Sequence, residues 1–439
     1  MRLGIGRLIV MFLLAWVVSG YFFGFSFTFL PASLNTKQMI GVMGIIAFAI
    51  RTFKEKSLRM SRIVVVSAAL AMVFSVWCYY SMMANETGDL TYATYIVSFS
   101  VWLGGAFCVT YVLRRYHGYC NLKLLTDYLM FVCVMQCVLA QMIDHIPAFQ
   151  LFVDSYIEQS QFFLHDVNRL YGIGASLDTA GVRFSCVMLL MAHQVATNKW
   201  TTDNGWRIAL YLLCFAIIIV LGNMISRTTI VGAAMAIAYM FMTLGLSKRG
   251  VMTYRQVRFY GVLIGIIVVA VIVCTALYNS NSDFRSSMRF AFEGFFNWVE
   301  QGEFSTDSTD KLDGEMWIWP DNFRDWMIGT GIFGSWYYST DIGYCRFTLY
   351  CGLIGLGIFS LFFIYNGLVL NKKFSNFWLA SLLIVALTFV VWIKVATDIF
   401  LLDALLFCVD SDYDDYGNEI DWNASPDDET EVDTELATT

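Results

Sequence analysis

The sequence predicts an all-α, polytopic transmembrane helix bundle of about 11–12 spans, with two long external loops that contain interfacial helices. Three observations predict it. Hydrophobic residues make up 58% of the 439-residue chain and charged residues 14%, and the mean hydropathy is +0.61. The apolar runs are continuous over about 20 residues, the length a helix needs to cross the hydrocarbon of a bilayer. They do not alternate, which excludes a β-barrel and leaves helices as the spanning elements.

Taken in order, the first run is Leu8–Leu30, behind Arg2 and Arg7. It is too long for a signal-peptide core and reads as an uncleaved first span. Further spans are expected at 38–50, 63–84, 92–113, 122–143, 181–197, 207–223, 228–246, 259–278, 343–370 and 376–393. A last run, 395–409, carries Asp398 and Asp403 and is either a twelfth span or a segment lying against the bundle. Residues 1–409 therefore form one membrane domain. Residues 410–439 hold twelve of the 35 Asp/Glu and no Lys/Arg, and read as an acidic, disordered tail. In the rest of the chain the 28 Lys/Arg outnumber the acids, so the net charge of −7 carries no global meaning.

Basic clusters at 51–62, 114–123, 248–258 and 371–373 fall on alternate sides of the spans, hence on one side of the membrane. The positive-inside rule makes that side, and the N-terminus, cytoplasmic. The tail is cytoplasmic if 395–409 spans and external if it does not. The two long loops, 144–180 and 279–342, then face outward, and chemistry is expected at the outer leaflet.

Both loops contain amphipathic runs at helical spacing. The first holds Phe149, Phe152, Val153, Tyr156, Ile157, Phe163 and Leu164, and the second Phe284, Met288, Phe292, Phe295, Phe296 and Val299. These read as helices in the interface plane or as lids on the bundle. Pro320, in the Trp317–Asp321 stretch, is expected to turn the second loop. The eleven cysteines lie mostly in apolar runs with no C-x-x-C pair, and the four histidines make no metal pattern. No cofactor is indicated.

The chain's hub is 329–357, where a polar, aromatic loop ends at Asp341 and an apolar helix carrying Arg346 begins. Asp341 is placed to cap that helix. Arg169, Arg183 and Arg227 sit at other outer membrane edges, Arg227 in a tight turn, and Arg324 lies in the hub loop. Guanidinium groups so clustered suit a diphosphate, whose oxygens they bond in pairs. Snorkelling to the interface, or pairing with an acid, is the structural reading of the same residues. For Arg227 the functional reading is the stronger, because ionisable groups at membrane depth mark sites. Asp127, near the inner end of its span, takes the structural reading. The 279–342 loop has eleven acids against four bases, which a neutral or aminated sugar tolerates better than a phosphate does. Trp317, Trp319, Trp326, Trp336, Tyr337 and Tyr338 either stack on sugar faces or form an aromatic belt.

Over roughly 165–370 the chain resembles the bacterial O-antigen polymerase and O-antigen ligase superfamily, in its polymerase-like branch. The resemblance rests on Arg169-Leu-Tyr-Gly-Ile-Gly174, Asp178-Thr-Ala-Gly-Val-Arg183, Gly222-Asn-Met-Ile-Ser-Arg-Thr-Thr229, Ile328-Gly-Thr-Gly-Ile-Phe333, Thr340-Asp-Ile-Gly-Tyr344 and Gly352-Leu-Ile-Gly-Leu-Gly357. It implies a glycosyltransferase of polysaccharide or lipopolysaccharide biosynthesis, metal-independent, in the bacterial inner membrane with its active face periplasmic. The substrate it implies is an undecaprenyl-diphosphate-linked oligosaccharide repeat, polymerised by glycosyl transfer. The partners it implies are that glycan, membrane lipids and a chain-length regulator protein; no nucleic acid enters. By motif, Arg169 and Arg227 hold the diphosphate. Asp341 stands where the ligase branch shows histidine, which favours polymerisation over ligation, and it is the candidate base or orienter for the acceptor hydroxyl. Arg183, Arg324, Arg346, Tyr344 and Asp178 complete the expected substrate contacts. A ligase, a lipid-linked oligosaccharide transporter and a non-enzymatic receptor or channel are the competing readings. The long asymmetric 279–342 loop argues against a transporter, and no pore-lining charge pattern supports a channel.

Overall fold

A computed structural model describes residues 4–31, 34–57, 60–159, 169–245, 253–333, 338–414 and 418–420. Phe163, Leu164, Trp336 and Tyr337, residues 248–252 of the third basic cluster, and 421–439 of the tail lie outside the described residues.

Helices α1 (Ile5–Phe22), α2 (Thr36–Glu55), α3 (Arg62–Ala84), α4 (Tyr95–His117) and α5 (Leu122–His145) open the bundle. Helix α1 ends at Phe22, short of the Leu30 expected, because Ser26–Phe27 pairs antiparallel with Ile157–Glu158. Asparagine sets two of the starts. Asn35 forms a reciprocal capping box with Gln38, and Asn121 accepts from the Leu124 N–H. Helices α2 and α4 touch backbone to backbone at Gly44 and Gly104, where a Cβ on Gly44 would overlap the Gly104 carbonyl. Small residues are what permits such an approach between helices in lipid.

Helix α6 (Pro147–Tyr156) follows, with Pro147 in its first turn. The helical spacing expected to include Ile157 stops there, since Ile157 belongs to the strand pair. Then come α7 (Leu177–Thr197), α8 (Gly205–Ile217), which runs on through a π-helical turn to Ile225, α9 (Thr229–Leu244) and α10 (Tyr254–Ser280). Among the described residues, the second long loop holds four short helices. They are α11 (Ser282–Ala291), α12 (Glu293–Gln301), α13 (Asp307–Glu315) and α14 (Phe323–Ile328). Helices α11 and α12 lie where the amphipathic run predicted helix, split at Phe292.

Helix α15 (Gly343–Val369) is interrupted at Gly352, whose φ is +67°. The interruption frees carbonyls that the surrounding chain then takes up. Leu349 O accepts from Thr330 N at 2.6 Å, and Tyr350 O from Gly331 N at 3.0 Å. Tyr350 O also accepts from Ser81 Oγ at 2.9 Å, and Cys351 O from Trp77 Nε1 at 2.8 Å. The hub loop is thus stitched into the groove between α15 and α3.

Helix α16 (Trp378–Val391) gives way to an irregular segment, 392–399, before α17 (Phe400–Cys408). Of the two possibilities for 395–409, the chain takes the one that returns it to the basic end. Helix α17 is buried throughout its first eight residues, and its exit is tied to two basic loops. Arg114 donates to Asp410 at 2.7 Å, and Lys373 Nζ donates to Phe407 O at 2.7 Å. The start of the tail departs from the disorder its composition suggests. Asp410 Oδ2 also accepts from Cys120 N at 2.6 Å, and Asp412 Oδ2 from Ser375 N at 3.0 Å.

Among the described residues, eight helices are long and apolar enough to cross a membrane, with α9 and α16 shorter but apolar. The protein is a multi-pass, all-α bundle. The described parts of its basic loops gather at one end and those of its two long loops at the other, here called the loop end.

Candidate functional site

The site forms at the loop end, where the turn between α8 and α9 meets the first turns of α7. Local chemistry places it. The π-helical turn Ile218–Gly222 shifts the register of α8, as single π turns do near functional sites. Asn223 Nδ2 then donates to Ala291 O at 2.6 Å and fixes the end of α11 beside the turn. Helices α7 and α9 come close because Gly232 lies against Ser185, where a Cβ would collide. Ser185 Oγ donates to Thr228 O at 3.2 Å.

The turn therefore sits on Asp178. That carboxylate accepts from Lys394 Nζ at 2.8 Å, Thr228 Oγ1 at 2.6 Å and Ser226 Oγ at 3.3 Å. Lys394 comes from the irregular 392–399 segment. Non-helical backbone at membrane depth is tolerated where it is enclosed by protein or lines a cavity.

Arg227, between Ser226 and Thr228, pairs with Glu293. Its Nε donates to Phe290 O at 3.0 Å, and its guanidinium carbon lies 4.0 Å from the centre of the Phe290 ring. Arg169 lies over the same ring, at 5.3 Å. Two cations separated by nearly sixty residues are thus brought onto one aromatic side chain of α11, and Arg169 is within electrostatic reach of Asp178.

Asp341 stands apart from its expected role. The residue at the cap position of α15 is Ile342, and no side chain caps the helix. Two N–H groups at this helix start have other acceptors. Ile342 N donates to Thr340 Oγ1 at 3.2 Å and Tyr344 N to Trp392 O at 3.2 Å. Among the described residues the Asp341 carboxylate has no hydrogen bond or ion pair within bonding distance. Burial pushes its carboxyl above the usual carboxylate range, while Arg346 pulls it down and Asp178 and Lys394 act in opposite senses. Asp341 is therefore a half-buried acid beside the Asp178–Lys394 pair.

The other expected residues divide. Arg346 Nη2 donates to Phe333 O at 2.7 Å and stacks on that ring at 4.1 Å, so it holds the hub loop and biases Asp341 through space. Tyr344 spends its hydroxyl on Phe389 O at 3.0 Å. Arg324 is not gathered with the others, because Nη2 donates to Ala84 O at the end of α3, at 2.5 Å, and its side chain is exposed. Arg183, one turn beyond Thr179, lies in a different cavity with Lys37 and Asp398. Trp319 stacks between Trp317 and Trp326, at 5.9 and 5.4 Å, and forms a small aromatic platform in the loop. Asp127 pairs with Lys123 at 2.8 Å, at the basic end.

Reading the sequence missed Lys394, Glu293, Phe290, Lys37 and Asp398 as members of these sites. Lys394 and Lys37 each adjoin an expected span and were signalled by the rarity of charge at membrane depth. Phe290 carried no signal, since it is one aromatic in an amphipathic run. No family model, no curated protein and no solved structure matches this chain.

Proposed function

We propose that this protein polymerises undecaprenyl-diphosphate-linked oligosaccharide repeats, for O-antigen, capsule or exopolysaccharide, at the outer leaflet of a bacterial inner membrane. The loop end is then periplasmic and the basic end cytoplasmic. The single observation that carries the proposal is the placing of Arg169 and Arg227 on one ring, close to Asp178, with a half-buried acid, Asp341, nearby.

In this reading the diphosphate displaces Glu293 and takes the guanidinium donors of Arg227 and Arg169. Charge builds on that leaving group as the bond from the anomeric carbon to the diphosphate oxygen breaks, and two fixed cations stabilise it. The acceptor hydroxyl oxygen bonds to the anomeric carbon, and its proton passes to Asp341. A raised carboxyl pKa suits a general base better than an ordinary one, because proton affinity grows with it. The Asp178–Lys394 pair anchors the turn that carries Arg227.

The test is Arg227→Lys in cells. It keeps the charge and loses the fork that bonds two oxygens. The expected result is carrier lipid bearing single repeats and no long chains. Normal chain lengths would overturn the proposal.

A further inference from the structure

One turn below the site, α2, α4, α7 and the 392–399 segment enclose a cavity of about 230 Å³. Its wall holds Lys37, Arg183 and Asp398, the aromatic rings of Tyr92, Tyr95 and Trp102, and several hydroxyl side chains. The volume is below the range of roughly 300–1,000 Å³ typical for drug-sized ligands, and suits a single small ring.

The cavity's charges are not spent on each other. Among the described residues, neither Lys37 nor Arg183 makes a hydrogen bond or ion pair within 4.0 Å. Lys37 Nζ lies 4.3 Å over the Trp102 ring, and the Arg183 guanidinium lies 5.7 Å from the Phe23 ring. Asp398 is within electrostatic reach of both cations, but one of its oxygens accepts from Phe400 N at 3.2 Å, at the start of α17. Among the described residues the hydroxyl of Tyr95, a residue 2% exposed, has no hydrogen-bond partner. Buried polar groups are normally hydrogen-bonded, and charges at membrane depth are costly unless paired, so these donors lack an acceptor. Two cations against one carboxylate leave the cavity one positive charge in excess.

We propose that this cavity binds one pyranose ring bearing a single carboxylate, a hexuronate-type sugar. The carboxylate takes the Arg183 and Lys37 donors, the ring lies against Trp102 and the two tyrosines, and Asp398 accepts from a ring hydroxyl. The aromatic walls and the carboxylate acceptor favour a sugar over a bare anion. A bare anion would have no use for Asp398, and a neutral ring none for both cations. The choice of a sugar rests on the proposed glycan substrate. The pocket lies apart from Arg169 and Arg227, neither of which lines it.

The test is binding of D-glucuronate and D-galacturonate to the purified full-length protein in nanodiscs, with D-glucose and acetate as controls. A uronate should bind at millimolar concentration or better, at least about tenfold tighter than glucose or acetate. Arg183→Gln should weaken it about tenfold. Asp398→Asn keeps an oxygen for the Phe400 N–H and removes the opposing charge, so it should bind the uronate several-fold more tightly. No uronate binding to the folded wild type, glucose binding equally well, or weaker binding by Asp398→Asn overturns the proposal. Acetate binding as tightly as uronate means an adventitious ion only, and also overturns it. The polymerase reading is separated by Arg227→Lys, which should leave uronate affinity unchanged. Uronate binding together with normal chain length in Arg227→Lys sinks the polymerase and keeps this site. Single repeats without uronate binding do the reverse.

Discussion

Arg169 and Arg227 share a ring: both guanidinium groups lie over Phe290, at 5.3 and 4.0 Å from its centre. Like charges repel, so their joint placement needs a scaffold, and α11 supplies it. The Asn223–Ala291 bond and the Arg227–Phe290 bond fix that helix end. Each cation–π contact contributes about 0.5–1 kcal/mol at partly exposed sites. Phe290→Leu should keep the fold and loosen both arginines. If the protein polymerises glycan as proposed, the expected outcome is a several-fold drop in polymer-forming rate with little change in Tm. An unchanged rate would show that the ring is packing alone.

Asp178 and Lys394 come from α7 and the irregular segment after α16, and their pair is about a quarter exposed on each side. Removing one partner leaves the other charge in a poorly solvated place. Lys394→Met should therefore cost roughly 2 kcal/mol of stability, with charged hydrogen bonds contributing about 1.5–3. The double variant Asp178→Asn with Lys394→Met should recover part of that loss, because no lone charge remains. Thermal unfolding of the four proteins in detergent measures the coupling. Strict additivity would mean that the two residues do not act on each other.

Asp341 separates a catalytic role from a structural one through its pH dependence. Burial raises its carboxyl above the ordinary value of about 3.9. The sign follows from that direction. The folded state holds the proton more tightly than the unfolded chain, so at neutral pH this group subtracts from stability, and the deficit vanishes as pH falls below the unfolded pKa. Asp341→Asn should therefore leave Tm at pH 7 unchanged or slightly higher, while under the proposed function polymer formation falls at least tenfold. In the wild type, activity should decline as pH drops through the raised pKa, and that acid limb should be missing from the residual activity of the variant. A lower Tm with an unchanged pH profile would assign the residue to structure.

What was legible in the sequence follows a physical division. Continuous apolar runs report burial in lipid whatever their neighbours do, so the order of the helices and the Ser226–Thr228 turn could be placed from them. The cap expected of Asp341 could not be checked in that way. Whether a carboxylate caps depends on which oxygens reach the first N–H groups, and Thr340 and the Trp392 carbonyl reach them instead. The pairing of Lys394 with Asp178, and the grouping of Asp398 with Lys37 and Arg183, were hidden for a related reason. An irregular segment inside a bundle is made possible by tertiary contacts, here the Trp392–Thr397 bond at 2.7 Å among others, and leaves no period in the sequence. The folded start of the tail was masked by its composition, because acidity predicts disorder only when no basic loop waits to receive it. Arg114 does.

Gly352 offers a contrast between two glycines of one helix. Its φ of +67° belongs to the left-handed region, and a Cβ there would overlap the Met327 carbonyl. Gly357, five residues on, is helical and exposed and has nothing within 4 Å of an added Cβ. Gly352→Ala should cost at least about 2 kcal/mol, from the strained backbone alone. The loss also reaches the site. Refolding Gly352 into the helix would withdraw the Leu349 and Tyr350 carbonyls from Thr330 and Gly331, and with them the Phe333 carbonyl that holds Arg346. Gly357→Ala, in contrast, replaces a helical glycine by a better helix former and should stabilise by about 0.5–1 kcal/mol without touching activity. Thermal unfolding and surface-glycan gels on the two variants read both effects. Equal behaviour of the two would mean that the break at Gly352 does not support the loop end.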